Sequence, residues 1–216
     1  MREITIAVDA GNVGGTLGTP PGAHGLIVFA HGSGSSRHSP RNRFVAASLN
    51  DRGFATLLMD LLTQYEEEID NASASLRFDI SLLARRVVLA TEWCKKQRTL
   101  TNMPIGYFGA STGAGAALVA AAGRKDIGAI VSRGGRPDLA GEALAQVQAP
   151  TLLIAGERDP VVIDLNRRAA SQMRAHCEIA IVPGAGHLFE QSGTLEQVAR
   201  LAQDWFVRYL PPRKNG

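Results

Sequence analysis

Three residue types suited to acyl chemistry follow short apolar stretches of this sequence, and the serine among them has the clearest context. Ser111 lies in Gly109-Ala110-Ser111-Thr112-Gly113, which fits the pattern G-x-S-x-G. An apolar strand precedes it and an alanine-rich helix follows, a context typical of a sharp strand-to-helix turn that exposes the serine hydroxyl above a sheet. Glycine is needed at 109 and 113, because a larger side chain would collide with the strand or helix and the turn requires positive φ.

A serine hydroxyl is a weak nucleophile at neutral pH and needs an adjacent base, which itself needs an orienting acceptor. His187 follows the last predicted strand in a glycine-rich turn, and Asp159 follows the strand before it. Each candidate therefore lies just beyond the carboxyl end of a separate strand, where open α/β sheets place their sites. We predict that Ser111, Asp159 and His187 form a catalytic triad.

Each residue of this triad also has a simpler interpretation. Ser111 could be a helix N-cap, Asp159 could cap the helix that starts near Val161, and His187 could be an ordinary loop histidine. Other residues of the right types fit less well, because they fall too early in a turn, inside a helix or away from a glycine turn after the acid: Glu157, Asp164, His24, His38 and His176.

The serine corner resembles the nucleophile elbow of the α/β-hydrolase superfamily, in which the triad follows the order Ser, Asp or Glu, then His. The chain as a whole is similar to the small, lidless, dienelactone-hydrolase-like branch of that superfamily. The dienelactone hydrolases proper usually carry cysteine as the nucleophile, whereas this chain has Ser111. The resemblance therefore implies ester chemistry on the same fold, with ordinary esters favoured over dienelactone.

The resemblance also implies an oxyanion hole. One donor is the backbone N–H of Thr112, the residue after the nucleophile. The segment His31-Gly32-Ser33 resembles the HG-x loop of the superfamily, which implies that Ser33 N–H is the second donor, with Gly34 as the fallback. His31 itself is expected to orient the loop by hydrogen bonding.

Arginines near the predicted site are candidates for binding a substrate carboxylate. Arg133 and Arg136 follow the carboxyl end of another strand, and Arg37 and Arg41 lie beyond the HG-x loop. Arg133 is the candidate substrate-binding residue, together with Gly34. Surface arginines on loops are the alternative explanation.

Apolar runs alternating with helical patterns predict right-handed βαβ units and a mostly parallel, twisted sheet with helices on both faces, the α/β-hydrolase fold. We expect one domain over residues 1–216, without a lid domain. Predicted strands cover 3–8, 16–19, 25–30, 55–60, 104–108, 127–131, 150–155 and 177–182, the first two as an edge hairpin after a glycine-rich turn at 11–15. Predicted helices cover 40–51, 76–96, 114–122, 140–146, 161–174 and 195–209. Residues 61–75 are expected to form an irregular acidic loop, and 211–216 a frayed tail.

Composition excludes several function classes. The 216 residues carry 23 Lys and Arg against 20 Asp and Glu, a net charge of +3, and the basic residues are scattered, so we expect no nucleic-acid partner. No signal peptide or bilayer-spanning run is seen, which predicts a cytoplasmic protein with no membrane partner. Cys94 and Cys177 are expected to be reduced, buried or half-buried thiols. No cofactor or metal is predicted, and a monomer and a homodimer both stay open.

The sequence therefore predicts a hydrolase that cleaves a carboxylic ester or thioester of a small molecule through an acyl-serine intermediate. An acyltransferase or thioesterase using the same triad is one alternative, because the residues do not show which nucleophile resolves the acyl-enzyme. A ligand-binding protein that retains the fold without catalysis is the other.

Overall fold

Eight strands form one mixed sheet in the computed structural model, which describes residues 1–212. The strands are β1 (Arg2–Val8), β2 (Gly11–Gly18), β3 (Gly25–Ala30), β4 (Phe54–Met59), β5 (Ile105–Ala110), β6 (Ile127–Arg133), β7 (Thr151–Gly156) and β8 (Cys177–Val182). Their order across the sheet is β1-β2-β4-β3-β5-β6-β7-β8. Strand β2 pairs antiparallel with β1 and β4, and β3 to β8 run parallel. The predicted mostly parallel sheet with an edge hairpin is confirmed.

Helices cover both faces of this sheet. They are α1 (Pro40–Asp51), α2 (Gln64–Ser73), α3 (Ile80–Lys95), α4 (Thr112–Ala121), α5 (Pro160–Gln172) and α6 (Thr194–Tyr209). Helices α1 and α6 pack together on one face, and α3 and α4 pack together on the other. The predicted α/β-hydrolase architecture without a lid domain is confirmed.

The central strands are buried along their whole length, because a strand covered by helices on both faces needs apolar side chains in both directions. Every residue of β3, β4, β5 and β7 is buried. One apolar cluster lies under α1 and α6 and includes Val45 and Phe206. The second lies under α3 and α4 and includes Val87 and Ala117. The sheet is thus a rigid platform whose carboxyl edge carries the loops considered below.

The expectation of an irregular loop over 61–75 is wrong, because Gln64–Ser73 forms α2. A capping box starts this helix: Thr63 Oγ1 accepts from Glu66 N–H at 3.2 Å, and Glu66 Oε2 accepts from Thr63 N–H at 2.8 Å. The two bonds satisfy backbone donors that the first helical turn leaves unpaired. The sequence signal is the spacing Thr-x-x-Glu, which an interpretation based on the acidic run 66–68 overlooks.

Smaller corrections concern element boundaries. The predicted helix 76–96 is divided into a 3₁₀ turn, Leu76–Phe78, and α3, since Asp79 accepts from Leu82 N–H at 2.9 Å and caps α3 there. The predicted turn at 11–15 belongs to β2, and the predicted helix 140–146 is a 3₁₀ segment, Pro137–Gln146, kinked at Gly141. Of the predicted tail 211–216, residues 213–216 lie outside the described part.

Cys94 is buried and Cys177 is half-buried, and both are free thiols. Within residues 1–212, no helix combines the length and the apolar character needed to cross a bilayer.

Candidate active site

Ser111 occupies the corner between β5 and α4 in a strained backbone conformation. Its φ is 51° and its ψ is −123°, a region that residues other than glycine rarely adopt and that is typical of functional sites. We expected positive φ at the flanking glycines, but it falls on the serine itself. Ser111 stands at the N-cap position of α4, yet its side chain makes no capping hydrogen bond. The hydroxyl is therefore not used as a helix cap, which argues against the simpler interpretation.

The glycines on either side of Ser111 are required by space. A Cβ at Gly113 would collide with the carbonyl oxygens of Ala30 and His31, and one at Gly109 would collide with the backbone of Ala114. Tight contact between β3, β5 and the start of α4 is thus built into the pattern G-x-S-x-G. This part of the sequence prediction is confirmed.

The predicted acid and base are in contact. His187 Nδ1 donates to Asp159 Oδ2 at 2.6 Å, a short, charge-assisted hydrogen bond. The other carboxylate oxygen, Asp159 Oδ1, accepts from Val162 N–H at 3.3 Å and caps α5. Asp159 therefore has both predicted roles at once, helix cap and histidine partner. The cap fixes the carboxylate, and the carboxylate fixes the orientation of the imidazole.

The loop that carries His187 is anchored on both sides of the histidine. Ala185 and Phe189 are buried, and Gly186 N–H donates to Gln191 Oε1 at 2.9 Å. The His187 side chain itself is 41% exposed. A firmly held backbone thus presents an accessible imidazole at the carboxyl edge of the sheet.

Ser111 and His187 line the same cavity, of about 250 Å³. Among the hydrogen bonds of residues 1–212, none joins Ser111 Oγ to His187. Catalytic hydrogen bonds are often long or poorly aligned before substrate binds, so a shared cavity is the relevant geometric condition. The structure thus joins Asp159 to His187 directly and places Ser111 beside them.

The competing acids and histidines are engaged elsewhere. Glu157 Oε2 accepts from Gly184 N–H at 2.7 Å, and Asp164 pairs with Arg168 on α5. Among the alternative bases, His24 packs on the ring of Phe54 and His176 stacks on Trp205. His38 is exposed on the surface.

The predicted oxyanion donors are close together, but they are not equally available. Thr112 begins α4, so its backbone N–H has no partner within the helix. Ser33 N–H donates to Thr112 Oγ1 at 2.8 Å. The predicted role of Ser33 therefore requires a substrate oxyanion to share or displace this hydrogen bond. Gly34, the fallback, has a φ of 67° and lines a different cavity from Ser111.

His31 holds this loop in place. Its Nε2 accepts from Leu61 N–H at 3.2 Å, so Nδ1 carries the proton and donates to Gly32 O at 2.8 Å. Burial lowers the pKa of His31, which keeps the imidazole neutral and suits these two bonds. The predicted orienting role agrees with this geometry.

Two of the four candidate arginines face the cavity that holds Ser111. Arg133 is 8% exposed, and Arg41 lines the same cavity. The other two are neutralised away from this cavity, Arg37 by Asp60 and Glu3, and Arg136 by Asp138. Burial and the nearby charge of Arg41 lower the pKa of Arg133 to about 10, so the Arg133 guanidinium is still charged at neutral pH.

A second cavity, of about 200 Å³, lies on the other side of the HG-x loop. Helix α2 forms one wall of it through polar side chains that include Glu67 and Asn71, and the apolar part consists of Leu61, Leu62 and Leu83. Gly32, Ser33 and Ser35 line both cavities. Sequence reasoning missed this compartment, because it depends on the unrecognised helix α2.

No group of three or more His, Cys, Asp or Glu side chains within residues 1–212 is arranged to hold a metal ion.

Comparison with known proteins shows the family of this chain. The model of the dienelactone hydrolase family matches residues 13–209. A dienelactone hydrolase from Anabaena variabilis has a similar crystal structure, with a TM-score of 0.94, 54% identity and coverage of 97% of each chain. Est1E from Butyrivibrio proteoclasticus shares the fold at a TM-score of 0.80 and 17% identity, covering 97% of this chain and 99% of its own.

A Mycobacterium tuberculosis protein is 57% identical over 213 residues, which is 97% of this chain. That protein bears the name "Putative phosphoribosyl transferase". The matched region is 47% of its length, so this chain spans about half of the curated relative.

Proposed function

Because the chain belongs to the dienelactone hydrolase family, we propose that it is a serine hydrolase that cleaves a carboxylic ester or thioester of a small molecule. Ser111 is the nucleophile, His187 the general base and then acid, and Asp159 the residue that orients the imidazole. The observation that carries this proposal is the 2.6 Å hydrogen bond from His187 to Asp159, which lies beside a serine with a strained backbone and a hydroxyl that does not cap the helix.

The reaction proceeds by two acyl transfers. Ser111 Oγ attacks the ester carbonyl carbon as its proton passes to His187 Nε2, and the carbonyl oxygen becomes an oxyanion. The intermediate collapses to an acyl-serine, and the leaving alcohol or thiol takes the proton from His187. Water then attacks the acyl carbon with His187 as base, and the carboxylic acid leaves as Ser111 regains its proton.

During these reaction steps, charge develops on the carbonyl oxygen and on the imidazole. The Thr112 N–H, at the positive end of α4, is the donor to the developing oxyanion, and Asp159 stabilises the protonated imidazole. Ser33 N–H is the second proposed oxyanion donor, and an oxyanion there would compete with Thr112 Oγ1 for the same hydrogen. Removal of one oxyanion donor typically costs about 10²–10³ in rate.

Ser111 lines the cavity of about 250 Å³, and the cavity of about 200 Å³ lies across the HG-x loop. These volumes favour a small substrate, with one part beside Arg133 and the other under α2. Arg133 is proposed to bind an acidic group of that substrate. Gly34 lines the cavity under α2 and is proposed to contact the substrate part that enters there.

The direct experiment is hydrolysis of p-nitrophenyl acetate by the chain and its variants. We expect Ser111→Ala to lower kcat by about 10⁶ and Asp159→Asn by about 10⁴, values typical of serine triads. Ser171→Ala, at an exposed serine of α5, is the control and should retain full activity. Equal turnover by Ser111→Ala and the unmodified chain would refute the proposal. Added alcohols as acceptors would distinguish hydrolysis from acyl transfer.

A further inference from the structure

Arg133 is a buried cation without a counterion in the part of the chain that the structure describes. It is 8% exposed and forms no ion pair with a carboxylate of residues 1–212. Its Nη1 is buried and makes no hydrogen bond with any residue of that range. A buried charge left unpaired is costly, and such groups are normally paired with a carboxylate. Arg133 therefore has an unused donor in a cavity that opens next to the nucleophile.

The backbone around Arg133 fixes its distance from that nucleophile. Arg133 is the last residue of β6 and pairs with Ala110 of β5. Its carbonyl accepts from Ser111 N–H at 3.3 Å. The arginine and the serine thus sit at the carboxyl ends of adjacent strands, which are separated by about 4.8 Å.

A second cation faces the same cavity from α1. Arg41 Nε is buried and makes no hydrogen bond among residues 1–212. Its Nη1 lies 3.5 Å from Glu190 Oε1 on the exposed side, a contact of the kind that contributes little. Arg41 also lies in the first turn of α1, which contains no acidic residue, so the positive end of the helix adds to the local charge.

An unused acceptor completes the arrangement. Asn42 is 1% exposed, lines the cavity, and has a buried Oδ1 without a hydrogen-bond partner among residues 1–212. Arg133, Arg41 and Asn42 therefore all line the cavity next to Ser111, and each has a buried polar atom without a hydrogen-bond partner among residues 1–212. Such atoms normally find partners, so their shared lack of one points to a ligand.

We propose that Arg133, Arg41 and Asn42 form a subsite for a phosphate group carried by the substrate, an inference that rests on the proposed ester hydrolysis at Ser111. A phosphate monoester carries nearly two negative charges at neutral pH and three terminal oxygens. It can thus pair with both guanidiniums and, when singly protonated, donate to Asn42 Oδ1. A carboxylate would neutralise one of the two cations and has no proton to donate.

The binding step can be tested without catalysis, using Ser111→Ala protein and inorganic phosphate as the probe. At a phosphate concentration about tenfold above Kd, we expect Tm to rise by about 3–6 °C relative to sodium chloride of equal ionic strength. The rise should be lost in Ser111→Ala proteins that also carry Arg133→Met or Arg41→Met. If Arg133→Met does not fold, Arg133→Lys is the substitute, since a point charge without the planar fork should bind more weakly.

Matched controls separate the subsite from general charge. Arg136→Met removes a guanidinium from the same loop, but one already paired with Asp138, and Arg43→Met removes an exposed one from α1. Both should keep the full phosphate shift. No shift in the parent protein, or an equal shift after Arg133→Met and Arg136→Met, would overturn the subsite. An equal shift with acetate would overturn its assignment to phosphate.

Active enzyme provides a second, independent test. Inorganic phosphate should act as a competitive inhibitor of p-nitrophenyl acetate hydrolysis, because the subsite adjoins Ser111, and the Ki should increase by tenfold or more in Arg133→Met. If phosphate does not compete with the ester, the subsite does not adjoin Ser111 and the proposal is contradicted. If the chain hydrolyses no ester but still shows an Arg133-dependent phosphate shift, the proposed function fails and the subsite stands.

Discussion

Two buried arginines of this protein are held in opposite ways. Arg86 of α3 is 1% exposed, donates to Glu66 Oε1 of α2 at 2.5 Å and lies 3.6 Å from Asp9 Oδ2. Arg133 of β6 is 8% exposed and pairs with no carboxylate of residues 1–212. Arg86 connects α3 to α2, whereas Arg133 brings to a cavity a charge that no carboxylate of these residues neutralises. Burial alone therefore does not show what a charged residue does, whereas the presence or absence of a partner does.

This difference predicts that substitutions at the two arginine sites change the stability of the fold in opposite directions. The largest change is expected at the Arg86 ion pair. Replacing Glu66 with glutamine leaves the buried Arg86 charge without its closest partner and weakens the capping box of α2. We expect Glu66→Gln to lower the free energy of unfolding by about 3–5 kcal/mol, the usual cost of breaking a buried ion pair. Urea denaturation measures this, with Glu68→Gln, an exposed glutamate of the same helix, as the control. A loss no greater than that of the control would mean that the Arg86 ion pair is not structural.

Substitution of Arg133 should change the free energy of unfolding in the opposite direction. Arg133→Met removes an unpaired buried charge and keeps most of the side-chain volume, so we expect a rise in the free energy of unfolding of about 1–3 kcal/mol without added anions. Thermal unfolding in a phosphate-free buffer is the appropriate measurement. A lower Tm would show that the guanidinium has a stabilising partner in solution, and the contrast with Arg86 would then disappear.

The smallest expected effect is at His31, which is buried like the two arginines but neutral and fully hydrogen-bonded. Its pKa is lowered by burial in the folded state, so the unfolded chain binds a proton first as pH falls below about 6.5. Stability should accordingly decrease as pH falls through that region. Between pH 7.5 and 5 we expect a smaller decrease in His31→Gln than in the unmodified chain, with His38→Gln, at an exposed histidine, as the control. Parallel pH profiles for all three would contradict the assignment.

Much of the site could be predicted from the sequence, because its main requirements are local. The glycines around Ser111 are dictated by contacts within a few residues of the turn and with the adjacent strand. Asp159 and His187 each directly follow a recognisable strand, and parallel strands bring their carboxyl ends to one edge. The fold follows from the same alternation of apolar strands and amphipathic helices.

The missed features depend on placement in three dimensions. Arg133 and Arg41 are 92 positions apart in the sequence, and nothing local to either shows that they face one cavity while Arg37 and Arg136 do not. That Arg133 is unpaired is equally invisible in the sequence, because it depends on the lack of a nearby carboxylate among the described residues. Helix α2 was predictable in principle from its capping box, but its acidic run of 66–68 is equally compatible with a solvated loop.

The central claim, that Ser111 is the activated nucleophile of an ester hydrolase, is tested most directly by covalent labelling. A fluorophosphonate should add once per chain, and peptide mass spectrometry should place the adduct on Ser111. The labelling rate should fall by at least about 10²-fold in His187→Ala, because the serine loses its base. An adduct on another serine, or an unchanged rate in Ser111→Ala, would contradict the claim.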